Sequence, residues 1–160
     1  MTPKDKELLL KDLCARIPYE LVGQCEIDAS YDTSFDTKFQ THKFDATVYG
    51  IKEDSLLVTP LIEDRDEQEF ANEEIVDGVD ILDFKPYLFP MSSMTEEQKK
   101  EYNNLRHYVP IYYYEYKELI EEIELYPTLE SFEYLIKNHF DFRNLIEKGL
   151  AIDATELNIY

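Results

Sequence analysis

Three residues late in the chain have the types and spacing that acid–base chemistry uses: His139, Asp141 and Arg143, in His139-Phe140-Asp141-Phe142-Arg143. Alternate residues of an extended segment share a face, so imidazole, carboxylate and guanidinium at spacing two can project together. That is the arrangement a small enzyme built around His139, Asp141 and Arg143 would need. The same run has a plainer reading, which the sequence favours. Asp141 caps a short helix over Asn144 to Lys148, Gly149 ends it, Phe140 and Phe142 fill core, and Arg143 pairs with surplus acid.

The other chemically able residues form no recognised constellation. His42, His107 and His139 lie far apart and lack the HExxH or CxxC partners of a zinc site, so no metal ligand is assigned. Residues 63 to 74 carry the densest negative charge in the chain. Glu63, Asp64, Asp66, Glu67, Glu69, Glu73 and Glu74 are therefore the candidate binding residues, suited to a basic partner. Asp64, Asp66 and Gln68 match the spacing of calcium ligands, but Glu69 stands where an EF-hand loop needs glycine and Ile75 where it needs a bidentate glutamate. Four glycines, none spaced as a phosphate cradle, exclude nucleotide binding by such loops, and no GxSxG elbow is present. No cofactor is expected. Cys14 and Cys25 fall where an apolar residue would face inward and read as two reduced core thiols. The Tyr112-Tyr113-Tyr114-x-Tyr116 cluster could stack on a base or sugar, or form an interface.

Charge narrows the partners further. Thirty-five acidic against 16 basic residues give a formal net charge of −19, a field that repels phosphate backbones and makes direct nucleic-acid binding improbable. It suits a basic host protein or a nucleic-acid-binding protein. No apolar run approaches a membrane span, and the charged start Met-Thr-Pro-Lys-Asp-Lys has no apolar signal core, so a cytoplasmic protein without membrane contact is expected. With 13 Tyr and 9 Phe the chain has ample material for a core, and 160 residues suit a single domain over 1–160.

The elements that must position these residues follow from periodicity. Thr2, Pro3 and Asp5 start a helix over residues 3 to 16, with Leu9, Leu10, Leu13, Cys14 and Ile17 on one stripe and Pro18 as its stop. From Tyr19 the period becomes two. Leu21, Gly23, Cys25, Ile27 and Ala29 define one strand face, Ser30 to Ser34 a turn, Phe35, Thr37 and Phe39 a second strand, and Phe44 to Gly50 a third. Lys52 to Ser55 makes another turn before the run Leu56 to Ile62, where Pro60 implies an edge or a bulge. Asp77-Gly78 reads as a hairpin turn between Ile75-Val76 and Val79-Asp80-Ile81.

The stretch Lys85 to Gln98 joins two halves: a proline-bracketed apolar run, then a capping box at Thr95-x-x-Gln98, with Ser93-x-x-Glu96 as the other register. A helix follows to about Arg106. Tyr112, Tyr116, Leu119, Ile120 and Ile123 recur at helical spacing and predict another, ended by Pro127. Thr128 caps a third, carrying Phe132, Leu135 and Ile136. Leu150 to Ala154 is extended. The fold class is α+β: an N-terminal helix, a small curled antiparallel sheet or partial barrel of four or five strands over about 19–84 (the β-rich part reaching about 90), then a helical part over about 95–149.

The run Lys85 to Tyr102, the later Asn138 to Ile146 with Gly149-Leu150-Ala151, and Leu13 to Tyr19 together resemble a family of uncharacterised short acidic proteins of gut-bacterial and phage genomes. Asn138, Glu147 and the 63–74 loop depart from that pattern. The resemblance implies no activity, cofactor or catalytic residue. What it implies is context, a phage- or mobile-element-linked protein in a bacterial host's cytoplasm. The resulting expectation is a non-enzymatic acidic interaction protein that modulates or inhibits a host protein, in its sharpest form as a nucleic-acid mimic, with a small enzyme or a minor virion component as alternatives.

Overall fold

The structure is a computed structural model that describes residues 2–33, 36–53, 55–61, 78–115 and 118–160; side chains of 28–33, 36–40, 108–115 and 118–125 lie outside the description. The first helix, α1 (Pro3–Arg16), starts as its sequence dictates. The Thr2 side chain accepts from Asp5 N–H, the Asp5 carboxylate accepts from Thr2 N–H, and Pro3 fills the first turn, where a missing N–H costs nothing. A 3₁₀ turn over Ile17–Tyr19 and a left-handed Glu20 (φ 57°) turn the chain into the sheet.

Strands β1 (Val22–Thr33), β2 (Asp36–Lys52), β3 (Ser55–Pro60), β4 (Val79–Asp80) and β5 (Phe84–Pro90) form most of an open sheet. With β8 (Phe140–Asp141) the order is β4-β3-β2-β1-β5-β8, and β9 (Ile152–Asp153) also pairs with β5. The molecule is thus α+β, with an N-terminal helix, an unclosed mixed sheet of seven strands and later helices. The later elements are α2 (Glu96–Asn104), the hairpin β6 (His107–Glu115) and β7 (Glu118–Tyr126), and α3 (Leu129–Lys137).

The proline-bracketed run is the strand on which the sheet changes character. β5 pairs antiparallel with β1 at Phe84 to Pro86, then parallel with β9 at Tyr87 and Leu88 and with β8 at Phe89 and Pro90. Pro86 has no N–H to give a ladder and sits where the β1 pairing ends. β5 is buried on both faces of the sheet. Accordingly Phe84 and Leu88 pack into the main core with Leu9 and Leu13 of α1, while Tyr87 packs with Val22 and Ala154. Gly23 opposite is needed for its small size: a Cβ there would stand 2.3 Å from the Phe84 ring and 2.5 Å from the Lys85 carbonyl.

Several sequence expectations meet a different outcome. Ser30 to Thr33 is strand, not turn, and the two strands expected over residues 35 to 50 are one, β2. The apolar phase shifts between Phe39 and Phe44, yet β2 runs on through it, paired with β1 from Val22↔Thr47 to Thr33↔Asp36. The helix expected from Tyr112 to Ile123 is instead the β6–β7 hairpin, in register from His107↔Tyr126 to Glu115↔Glu118. Helical spacing was present, but Pro110 and the crowd of Val, Ile and Tyr favour a pleated strand, and that preference wins. Tyr116 and Lys117 lie outside the described residues.

Cys25 is buried as expected, but Cys14 is exposed, because the inward stripe of α1 is Leu9, Asp12, Leu13 and Arg16. Pro60 closes β3, paired with Ala46; β4 pairs with Ser55 and Leu56 among the described residues, and the bulge in β2 between Val48 and Gly50 faces Leu57 and Val58. Val79 pairs with Leu56, while Ile75, Val76 and Asp77 lie outside the described residues. Thr95 and Gln98 form the capping box of α2, rather than Ser93 and Glu96, and Thr128 caps α3.

Candidate functional site

The sequence singled out His139, Asp141 and Arg143, and the fold gives each a separate task. α3 stops at Lys137, and His139 takes a left-handed conformation (φ 55°), unusual for a residue with a Cβ. That reversal lets the His139 carbonyl accept from Phe89 N–H at 2.9 Å, docking β8 onto β5. The imidazole, 6 % exposed, stacks on the Tyr160 ring with centroids 3.9 Å apart and planes at 11°. Burial, and then the Arg16 guanidinium, pull its pKa down to about 4 against a hydrogen bond to the Tyr19 backbone. The ring is therefore neutral at pH 7, and its Nδ1 is buried with no hydrogen-bond partner.

Asp141 serves the backbone. One carboxylate oxygen accepts from Leu145 N–H at 2.9 Å and Arg143 N–H at 3.3 Å, the other from Ile146 N–H at 2.9 Å. This is the capping role foreseen, though what it caps is a set of turns from Phe142 to Gly149 in place of a regular helix. Left-handed Asn144 (φ 57°) breaks regular helix there, and left-handed Gly149 (φ 69°) closes the turns.

Arg143 turns toward α1. Its Nε lies 3.6 Å from an Asp12 oxygen and its guanidinium 5.0 Å from the Phe142 ring centre. Over the same ring, at 5.7 Å, is Arg16, which sequence reading passed over as part of a helix end. Arg16 is fully buried. It donates to both Asp12 oxygens, at 2.6 Å from Nε and 3.2 Å from a terminal nitrogen, and to the carbonyls of Phe140 (2.8 Å) and Ile136 (3.3 Å). A buried guanidinium is tolerated only with such partners, and this one ties α1 to both the end of α3 and β8. The signal was in the sequence: Leu9, Asp12, Leu13 and Arg16 share one stripe, so an ion pair at i,i+4 was due to be buried.

Tyr160 completes the arrangement. The residue is 45 % exposed, and its part-buried hydroxyl sits where β1 leaves β5 and before β8 joins. The hydroxyl donates toward the carbonyls of Tyr87 (3.0 Å) and Val22 (3.3 Å) and accepts from Val22 N–H (3.4 Å). Burial pushes its pKa up to about 12. Nearby, the Tyr87 hydroxyl donates to Asp45 at 2.6 Å, and its pKa also rises, through burial and then that acceptor.

What this knot can do chemically is limited. The imidazole is stacked and covered, the carboxylate accepts three backbone N–H bonds, and both guanidinium groups face Asp12. Among the described residues no group of three or more His, Cys, Asp or Glu could hold a metal ion. His42 and His107 stand on β2 and β6, apart from His139 in the chain and sheet order. The acidic candidates Glu63, Asp64, Asp66, Glu67, Glu69, Glu73 and Glu74, with Gln68 of the calcium-like spacing, lie outside the described residues. No helix among the described residues is long and apolar enough to cross a membrane. Comparisons with family models, with curated proteins and with solved structures return no match.

Proposed function

We propose that this chain is a non-enzymatic acidic interaction protein that modulates or inhibits a basic, nucleic-acid-binding host protein, occupying its groove as a nucleic-acid mimic. The observation that carries the reading is the pairing of a net charge of −19 with a His–Asp–Arg run whose carboxylate and guanidinium are committed to the fold and whose imidazole is stacked and covered. Charge of that size steers a basic partner and excludes phosphate backbones. The run Glu63 to Glu74 supplies its densest part and is the proposed contact. The resemblance of Lys85 to Tyr102 and Asn138 to Ala151 to short acidic phage and gut-bacterial proteins supports a partner in the cytoplasm of a bacterial host.

The test is retention of host proteins on the immobilised chain. The expected result is a basic protein held at about 50 mM salt, released by about 500 mM as charge is screened, and displaced by duplex DNA. Retention of no basic protein at low salt overturns the proposal. Release by salt but not by DNA keeps the interaction and overturns the mimicry.

A further inference from the structure

Tyr160 is tethered loosely to a socket that is itself built from the centre of the sheet. The chain after Leu157, whose N–H donates to the Ala154 carbonyl, makes no backbone–backbone hydrogen bond among the described residues, and Thr155 to Asn158 are exposed. Side chains hold it instead: Ile159, packed against the cluster of Val22, Tyr87 and Ala154, and the Tyr160 ring. The socket has fixed walls, the His139 imidazole parallel to the ring at 3.9 Å and the Phe89 ring tilted at 5.9 Å. Its end presents two acceptors and one donor, the carbonyls of Tyr87 and Val22 and the Val22 N–H. Beside it an open cleft of about 340 Å³, lined in part by Asn138, Thr155 and Tyr160 itself, leaves room for a chain that carries a ring into the socket.

Such an end selects a phenol. A hydroxyl both donates and accepts there, whereas a phenylalanine ring would leave the backbone groups unpaired and a phosphate would face two carbonyl oxygens. A preformed socket filled by a side chain on a loose tether is an intramolecular complex, in which the tethered ring competes at an effective concentration of about millimolar. We infer that Tyr160 is a ligand bound in cis, a latch on a site that takes the tyrosine side chain of a partner polypeptide when the 158–160 segment swings out. The inference rests on this socket alone and is independent of the acidic-surface reading above.

The test begins with hydrogen exchange in the ¹⁵N-labelled full chain, read at the Val22 amide, which donates to the Tyr160 hydroxyl, and at the Val48 amide, which donates to the Leu21 carbonyl. The expected result is Val22 exchanging at least about tenfold faster than Val48 and independently of low urea, the mark of a local opening. Tyr160→Phe, which keeps the ring, should speed Val22 further. Exchange of both amides through one urea-dependent opening, or an unchanged Val22 rate in Tyr160→Phe, overturns the latch. Tyr160→Gly empties the socket and is titrated with N-acetyl-tyrosinamide, N-acetyl-phenylalaninamide and N-acetyl-phosphotyrosinamide. The tyrosine ligand should shift the Val22 amide and bind at least about tenfold more tightly than the other two, and at least about tenfold more tightly than it binds the wild type, where Tyr160 competes. Equal affinity for the tyrosine and phenylalanine ligands, or no Val22 shift at millimolar ligand, overturns the site.

Discussion

His139 and Arg16 decide the account at the scale of single residues. A histidine held near pKa 4 in the fold but near 6.5 unfolded is bound by a proton more readily when unfolded between those values. Its contribution is therefore fully present above pH 6.5, is lost as pH falls toward 4, and levels off below. The loss across that window is about 3 kcal/mol at 1.36 kcal/mol per unit. Urea unfolding at pH 7 and pH 5 should show about 2 kcal/mol of this fall, and His139→Phe, which keeps the stack on Tyr160, should flatten it. An equal fall in the variant would assign the pH dependence to other groups. Arg16→Met leaves the buried Asp12 carboxylate with only the looser Arg143 contact at 3.6 Å and should cost about 3 kcal/mol. Arg16→Met combined with Asp12→Leu should recover most of that in the same measurement, because no unpaired buried charge remains.

At the scale of elements, sequence reading succeeded where a cap or a stripe acts locally. The capping boxes at Thr2, Thr95 and Thr128 require only residues three apart, and all three form as such local chemistry demands. It failed at Tyr112 to Ile123, where helical spacing and strand propensity conflict and pairing with a partner strand decides. It also missed Arg16, whose carbonyl partners lie 120 and 124 residues away. The Thr128 hydroxyl also donates to the Leu105 carbonyl at 2.5 Å, which the Thr95 cap does not do. Thr95→Ala should therefore cost about 1 kcal/mol, and Thr128→Ala up to about 2, in denaturant midpoints. Gly23→Ala should cost about 2 kcal/mol or more, since the new methyl meets both the Phe84 ring and the Lys85 carbonyl. A smaller loss would mean that β1 and β5 can part to admit it.

At the scale of the molecule, β5 organises everything: the antiparallel half arrives on one side through β1, and β8 and β9 join in parallel at its far end. Tyr160 fills the step between β1 and β8, and His139 and Arg16 hold the ends of α3 and α1 there. The open, antiparallel part of this design was legible in period-two alternation. Of the parallel part, the extended run Leu150 to Ala154 was legible as a last strand and contains β9, but its pairing with β5 and the two-residue β8 were not, because they exist only as partners of β5. The distinctive His139-to-Arg143 run is thus a keystone of the fold, and the proposed function assigns the working part to the surface charge.

That division is open to one direct comparison. Wild-type chain and Arg143→Gln are immobilised in parallel and tested for salt-dependent retention of a basic host protein, with thermal unfolding recorded for both. The account predicts the same retention with a lower melting temperature for the variant. Lost retention at an unchanged melting temperature would contradict it.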